Sequence, residues 1–409
     1  MKNILNIPIC RALVAGVLAA GFAASCDDAE LGPLDNAAYI KEAQKEMSKI
    51  VTVEDKGSTA SLTVRLGGKS SAETSFRLVS DPEVLERFNT LNGTSYSLLP
   101  ADMYDLPAEP AVIPAGEVAA APSQIAIHAF TGEMDDSGQT YAIPVALRPV
   151  GGDMPVLGNA SNFLLVCERK MIVPVPLLNQ NTYKYPNRIM LNMKDAPITF
   201  DAYTFEVKVR RESFTMRNFM IVGFDNGEGS INNRMWLRFE RSTSTSDTQN
   251  RWLQLNSQVQ PAATSVLPCE AKTWHHVAVV FDGSNTVLYL DGELAAQKSM
   301  PRTTITFKHF ALQPQPGSSR APISFSEARL WTVARTQTQI KNNMNRVNPQ
   351  SEGLLGYWHM NEGSGYTFED ATGNGNTGQC EYSHAGDLWD PQTYGPATGL
   401  EWAADMNNM

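Results

Sequence analysis

The sequence predicts an all-β protein made of two consecutive sandwiches, and three observations carry that prediction. The first is the stretch Thr273–Leu294, where two β-branched and aromatic runs, His275–Phe281 and Thr286–Leu290, are separated by Asp282-Gly283-Ser284-Asn285. The second run ends in Asp291-Gly292, a pair that supplies the positive φ of a tight hairpin turn, so the stretch reads as a β-meander. The second observation is a series of short alternating segments between residues 37 and 168, broken by Pro and Gly at the roughly 8–12-residue spacing of an immunoglobulin-like sandwich. The third is composition: 19% charged and 42% hydrophobic residues over 409 positions describe a globular chain with room for two or three cores.

Residues 1–25 read as a secretory signal. Lys2 and Arg11 precede the apolar run Ala12–Ala24. That run is about 13 residues long, short of the roughly 20 that a spanning helix needs. It ends at Ala23-Ala24-Ser25-Cys26, which resembles a bacterial lipobox, with Ala where Leu is usual at the third position before the Cys. The resemblance implies that Cys26 is diacylglycerated and becomes the mature N-terminus; ordinary cleavage near Ser25 is the alternative. Two or three acyl chains on one residue suffice for stable anchoring. Residues 26–36 form an acidic tether, and its Asp27-Asp28-Ala29-Glu30 resembles the export tag of Bacteroidota surface lipoproteins, which implies a lipid-anchored, surface-exposed protein of the outer membrane.

The formal charge of −10 becomes more negative once Lys2 and Arg11 leave with the signal. Such a chain repels phosphate backbones, and no basic cluster interrupts it, so nucleic acid is excluded as a partner. Of five cysteines, Cys10 is removed and Cys26 carries lipid. Cys167, Cys269 and Cys380 remain; at most one bridge is possible, Cys269 with Cys380 inside one domain, and buried free thiols are the expected state.

Within 37–168 the expected strands are Ile50–Val53, Ala60–Leu66, Thr74–Val79, Ser123–His128, Thr140–Leu147 and Phe163–Cys167. One helix interrupts them: Asp81 is a natural N-cap, Pro82 suits the first helical position, Val84, Leu85 and Phe88 form an apolar stripe, and Asn92-Gly93 ends it. The run Pro82–Asn89, with Asn92-Gly93-Thr94, Leu99-Pro100, Tyr104 and Ile113-Pro-Ala-Gly116, resembles a domain of unknown function that opens many Bacteroidota lipoproteins encoded with glycan-utilisation genes. That family carries no assigned chemistry, and a spacer or docking platform is the role expected here.

Residues 169–176, charged and Pro-bearing, are expected to form a semi-rigid hinge before a second domain over 177–380. The wording Trp274-His-His-Val-Ala278, Phe281-Asp-Gly283 and Leu288-Tyr-Leu-Asp-Gly292 is followed by Glu327-Ala-Arg-Leu-Trp331, Ala334-Arg335-Thr336, Gly353–Trp358 and Asp370–Gly378. In that order these landmarks resemble the laminin-G-like, concanavalin A-like jelly-roll family, which implies a β-sandwich used mostly to bind carbohydrate or protein and less often as an enzyme. Residues 381–409 are expected to be a tail or added strand, with Leu388–Trp402 as its loop or strand.

Several motifs fail on context. Gly373-x-Gly375-x-x-Gly378 lacks the strand before and the helix after that a dinucleotide site requires, and Gly67-Gly-Lys-Ser70 has Thr63 where a P-loop needs glycine. Asp370-x-Thr372-x-Asn374-Gly375 with Glu381 falls one substitution short of an EF-hand loop and lacks helical flanks. The six histidines show no zinc spacing, and His275 and His276 read as strand residues. Catalytic relatives of the jelly roll carry two carboxylates on one strand; Glu369-Asp370 are adjacent and would face opposite ways, so no enzyme is expected.

Calcium is the one cofactor left open, with Asp225, Asn226 and Asp370 as oxygen donors, against the alternative that these residues cap their own turns. Sugar binding needs aromatic faces beside amides and carboxylates. Trp236, Trp252, Trp389, Tyr394 and Trp402 are available, with Asp225 and Asn226 as polar contacts and the loop 242–250 as a rim; for Trp236 and Trp252 a core role is the alternative. Trp274, Trp331 and Trp358 belong to the framework. The expected protein is a monomeric, non-catalytic, glycan-binding surface lipoprotein. The alternatives are an adhesin or structural protein that recognises protein and, less favoured, a glycoside hydrolase.

Overall fold

The alternating segments of the first domain pair because one side chain in two is apolar. The computed structural model describes residues 36–406, apart from 137–138, 152–153, 170–171, 179–186, 216–218, 226–234, 243–244, 258–259, 301–302, 314–321 and 383–399. Ala60 and Leu62, Phe76 and Leu78, Ile125 and Ile127, Ile143, Val145 and Leu147 enter one core. A six-stranded sheet runs in the order Ser48–Val53, Asn162–Arg169, Tyr141–Pro149, Thr74–Ser80, Ala111–Ile113, with Ser97–Leu98 also on Tyr141–Pro149. Opposing it, Ser58–Leu62, Ser123–Ile127 and Tyr104–Asp105 form a three-stranded sheet. The helix spans Pro82–Asn92: Asp81 accepts from Glu83 N, and Gly93 at φ 60 closes it by donating to Asn89 O. Its buried Leu85 and Phe88 pack with Tyr96, Ala142, Leu164 and Val166.

The second domain is two eight-stranded sheets around a shared core. One runs Glu293–Ser299, Asn285–Leu290, Trp274–Phe281, Tyr203–Arg211, Ile323–Trp331, Ile172–Leu178, Glu401–Met406, with Leu354–Trp358 also on Ile323–Trp331. The other runs Gln260–Pro268, Trp252–Ser257, Met235–Glu240, Phe219–Asp225, His309–Leu312, Asn187–Asn192, Thr377–Tyr382, Thr367–Phe368. The meander is present, and Asp291 and Gly292 take φ 52 and 77, the paired positive values of a tight hairpin. Inward-facing Tyr203, Phe205, Val207 and Val209 meet Phe224, Leu237, Phe310 and Leu312 of the facing sheet.

Two expectations change here. Most of the expected hinge is strand: Ile172–Leu178 pairs with Glu401–Met406 along six residues and with Ile323–Trp331 at Leu177 and Leu178. Pro174 and Pro176 are tolerated because they share one parity, so both missing N–H groups fall on the same side of the strand. The added strand of the tail is therefore Glu401–Met406, while 383–399 lies outside the described residues.

The outer face of the first sheet is closed by charge. Glu206 lies fully buried 2.8 Å from Arg335 Nη1, 3.0 Å from His276 Nε2 and 3.7 Å from Arg329 Nη1. Glu327 takes Arg329 Nη2 and His359 Nδ1, each at 3.1 Å, and the Tyr357 hydroxyl. Arg335 also donates to Gln339 O, which ties in the helix Gln337–Lys341, and Thr336 with Gln339 forms that helix's capping box. The cluster extends to the first domain: Lys208 Nζ donates to Asn345 Oδ1 at 2.8 Å, Asn345 Nδ2 donates to Glu168, and Tyr96 OH donates to Asn342 O.

Burial alone would raise the carboxyls of Glu206 and Glu327, but their cationic neighbours hold both well below the usual range. Burial keeps His276 below its ordinary value, with Glu206 opposing. All three groups bind protons less readily folded than unfolded. Their stabilisation is complete above the unfolded values and is lost as pH falls, first below about 6.5 through His276 and then below about 4.5 through the glutamates. Urea unfolding from pH 7 to 3 should show that decline. Glu206→Gln, which leaves Arg335 without its buried carboxylate, should cost about 3–5 kcal/mol at pH 7 and flatten the acid limb; a variant as stable as the parent would refute the role of this cluster.

The strand at 172–178 generates a second prediction. A fragment 171–409 should melt cooperatively, whereas 179–409, which strips the partner from both Glu401–Met406 and Ile323–Trp331, should not. Equal sharpness in circular-dichroism melts would show that the strand is dispensable.

Candidate functional site

The outer face of the second sheet offers aromatic and amide groups together. In Met235–Glu240, Met235, Leu237 and Phe239 enter the core, which sends Trp236, Arg238 and Glu240 to the other face. In Trp252–Ser257, Leu253 and Leu255 are core, leaving Trp252, Gln254 and Asn256 on that same outer face. Register sets Trp236 opposite Asn256, Arg238 opposite Gln254, and Glu240 opposite Trp252.

Away from Asn256, the row through Trp236 continues to Gly223, Ala311, Met190 and Gln379. Gly223 and Ala311 are small, and both are buried, as is Met190 at 1% exposed. Trp236 is half-buried, and its indole N–H has no acceptor among the described residues.

The neighbouring row is polar. Arg238 donates from Nε at 2.9 Å and Nη2 at 2.7 Å to Gln254 Oε1, and Gln254 Nε2 donates to Thr264 Oγ1 at 3.0 Å. Arg188, fully buried, lies 3.4 Å from Glu381. Burial pushes the Glu381 carboxyl up, with Arg188 opposing. Gln313, level with Arg188 at the end of its strand, adopts φ 48, is 2% exposed, and has no partner for either amide atom among the described residues. A strained backbone beside an unsatisfied buried amide is the kind of feature that gathers at binding sites.

Trp236 lies on the outer face, half-buried. Trp252 does not serve as a platform: it is 3% exposed, held between Glu240 and Pro268 in register, with the Arg251 guanidinium 5.4 Å from its ring. Asp225 is buried next to His309, and Asn226 lies outside the described residues. Asp370 spends its oxygens on its own loop: Oδ1 accepts from Tyr357 N, Thr372 N and Thr372 Oγ1, and Oδ2 from Asn376 N.

Asp225 and Asp370 therefore do not share a calcium ion. Asp370 lies two residues beyond Thr367–Phe368, a strand four places from that of Asp225 in the sheet, about 19 Å at the usual spacing. Asp370 also leans to the opposite sheet through Tyr357. Among the described residues no three His, Cys, Asp or Glu side chains form a metal-binding group.

The loop 242–250, expected as a flexible rim, is tied down where it is described. Ser242 and Asn250 are buried, Asn250 Nδ2 donates to Phe214 O and Thr215 O, and Asp247 pairs with Arg251 at 2.9 Å. Trp402 is half-buried against Phe368 and donates to Gly365 O, whereas Trp389 and Tyr394 lie outside the described residues. Trp274, Trp331 and Trp358 are buried, and Cys167, Cys269 and Cys380 are free and buried.

Sequence reasoning missed Arg188, Arg238, Gln254, Gln313 and Glu381. The period-two alternation in Met235–Glu240 and Trp252–Ser257 was the available signal for two of them, since it sets Arg238 beside Trp236 and Gln254 beside Trp252. The others depend on pairings across the sheet that no local pattern reports.

Residues 187–341 match the family model Laminin_G_3, described as the concanavalin A-like lectin/glucanases superfamily. The second sandwich is a concanavalin A-like domain. Upstream of it, residues 34–154 match a family model described as an N-terminal domain. No curated protein sequence matches the chain. Among solved structures, a candidate carbohydrate binding protein from Bacteroides ovatus ATCC 8483 is 20% identical, with 90% of this chain and 97% of that chain covered and a TM-score of 0.47. A heptameric SAP-like pentraxin from Limulus polyphemus is 15% identical over 52% of this chain and 96% of its own, with a TM-score of 0.34. In this concanavalin A-like domain Glu206 and Glu327 are enclosed by cations, and Arg335 ties Glu206 to the helix Gln337–Lys341.

Proposed function

We propose that the chain is a non-catalytic glycan-binding protein whose concanavalin A-like domain takes saccharide on the outer face of its second sheet. The observation that carries this reading is the half-buried Trp236 on the outer face, with the half-buried amides of Asn256 and Gln254 on the neighbouring strand. A sugar ring lays its C–H face on an aromatic and turns its hydroxyls toward such amides. Asp225 and Asn226, at and beyond the end of the strand next to Trp236, are retained as polar contacts at the margin. The first sandwich serves as spacer or docking platform.

We also retain the lipid anchor at Cys26 and display on the outer membrane surface. The support is the residue pattern of 1–30; among the described residues no helix is long and apolar enough to cross a membrane. Cys26→Ala should release the protein from the membrane fraction and remove its exposure to external protease, and unchanged membrane association would end the lipoprotein assignment.

Trp236 and Trp252 give an internal control for the binding site. Trp236→Ala should weaken saccharide binding by about 1–3 kcal/mol, by analogy with base stacking on aromatic side chains, and leave the melting temperature nearly unchanged. Trp252→Ala should instead cost about 3–5 kcal/mol of stability. If a thermal melt shows Trp236→Ala unfolding the domain as readily as Trp252→Ala, Trp236 is a packing residue and the site lies elsewhere.

A further inference from the structure

We infer that the saccharide taken by this face is uncharged, because the arginines described along the face are each matched by a carboxylate and the accessible polar groups beside Trp236 are carboxamides and hydroxyls. The inference rests on the glycan-binding reading above. Arg188 lies 3.4 Å from Glu381, Arg238 3.6 Å from Glu240, and Arg251 2.9 Å from Asp247 and 2.5 Å from Glu270.

Recognition of a uronate carboxylate or a sugar sulfate uses two parallel N–H donors of a guanidinium. Arg238 does not offer that fork: its Nε and Nη2 both converge on Gln254 Oε1, and Glu240 stands behind them. An acidic sugar drawn to Arg188 or Arg238 would approach Glu381 or Glu240 at the same time, and like charge at that range is repulsive. The chain as a whole carries a formal charge of −10, which works against an incoming anion from further away.

Among the described residues, the half-buried polar groups beside Trp236 on its neighbouring strands are neutral. Asn256 is half-buried and opposite the indole in register, and Gln254 and Thr264 are half-buried one row along. Carboxamides both donate and accept, as sugar hydroxyls do, so they can pair with a polyol without a net charge on either side. Stacking on an indole and hydrogen bonds between neutral groups are both weakly screened by salt. The face is thereby chemically matched to neutral hexose or pentose polymers and mismatched to uronic, sialic or sulfated ones.

The test is an array of neutral, uronate-containing, sialylated and sulfated oligosaccharides probed with the purified full-length protein and with Trp236→Ala, at low and high sodium chloride. The expected result is retention of neutral saccharides by the parent, with affinity moving less than about twofold across the salt range, as befits contacts that are not Coulombic. Trp236→Ala should lose that retention at least tenfold. Parent binding confined to acidic saccharides, and falling steeply with salt, would overturn the inference while leaving the glycan-binding reading intact. Neutral binding that survives in Trp236→Ala would place recognition on another surface and overturn it as well. Binding to none of the four classes would remove the glycan-binding reading itself, and this inference with it.

Discussion

The buried carboxylate of Glu206 is the point from which the second domain is organised. It sits on the outward side of Tyr203–Arg211, where a strand of a two-layer sandwich would ordinarily meet water, and its charge is tolerable there only because Arg335, His276 and Arg329 surround it. Arg335 in turn fixes the start of the helix Gln337–Lys341, and Arg329 donates to the carbonyls of Asn343 and Asn345 that follow the helix. The outer face of the first sheet is thus sealed by its own ion pairs. The outer face of the second sheet carries the half-buried Trp236, Asn256 and Gln254.

The same cluster joins the two sandwiches. Asn345 receives from Lys208 and donates to Glu168, a residue of the first domain's sheet, so one carboxamide links a buried amine to a buried carboxyl across the junction. Burial raises the Glu168 carboxyl, with Asn345 and Lys208 opposing, and lowers the Lys208 amine to about 8. Each group is costly to charge alone, and each is made less costly by the other. Glu168 lies next to the end of Asn162–Arg169, so the junction is a built contact and not a free tether.

Much of the fold could be read from local pattern because local pattern was what determined it. The helix Pro82–Asn92 is fixed by a cap, a proline and a closing glycine within a dozen or so residues, and the hairpin at Asp291-Gly292 by two positive φ values. Where the deciding partner lies far along the chain, local pattern misleads. Residues 172–178 look like a hinge because prolines alternate with apolar residues, yet the neighbours that make them a strand are Glu401–Met406 and Leu177's partner Ser324. Asp370 looks like an ion ligand by spacing, and only the approach of Tyr357 and Asn376 turns its oxygens inward.

Trp236 and Trp252 show why the site was half legible. Both are the outward residue of an alternating strand, both have an apolar residue on one side and a charged one close by, and nothing in their local sequence ranks one above the other. Their fates diverge through cross-strand neighbours. Trp252 is flanked by Glu240 and Pro268, whose bulk together with Arg251 encloses the ring. Trp236 is flanked on one side by Gly223, beyond which stands Ala311, and on the other by the short amide of Asn256. The Trp236 ring stays half-buried beside its small neighbours, while the Trp252 ring, beside a proline and under a guanidinium, is 3% exposed. The difference between a wall and a platform on this sheet is therefore set by the size of the residue one strand away.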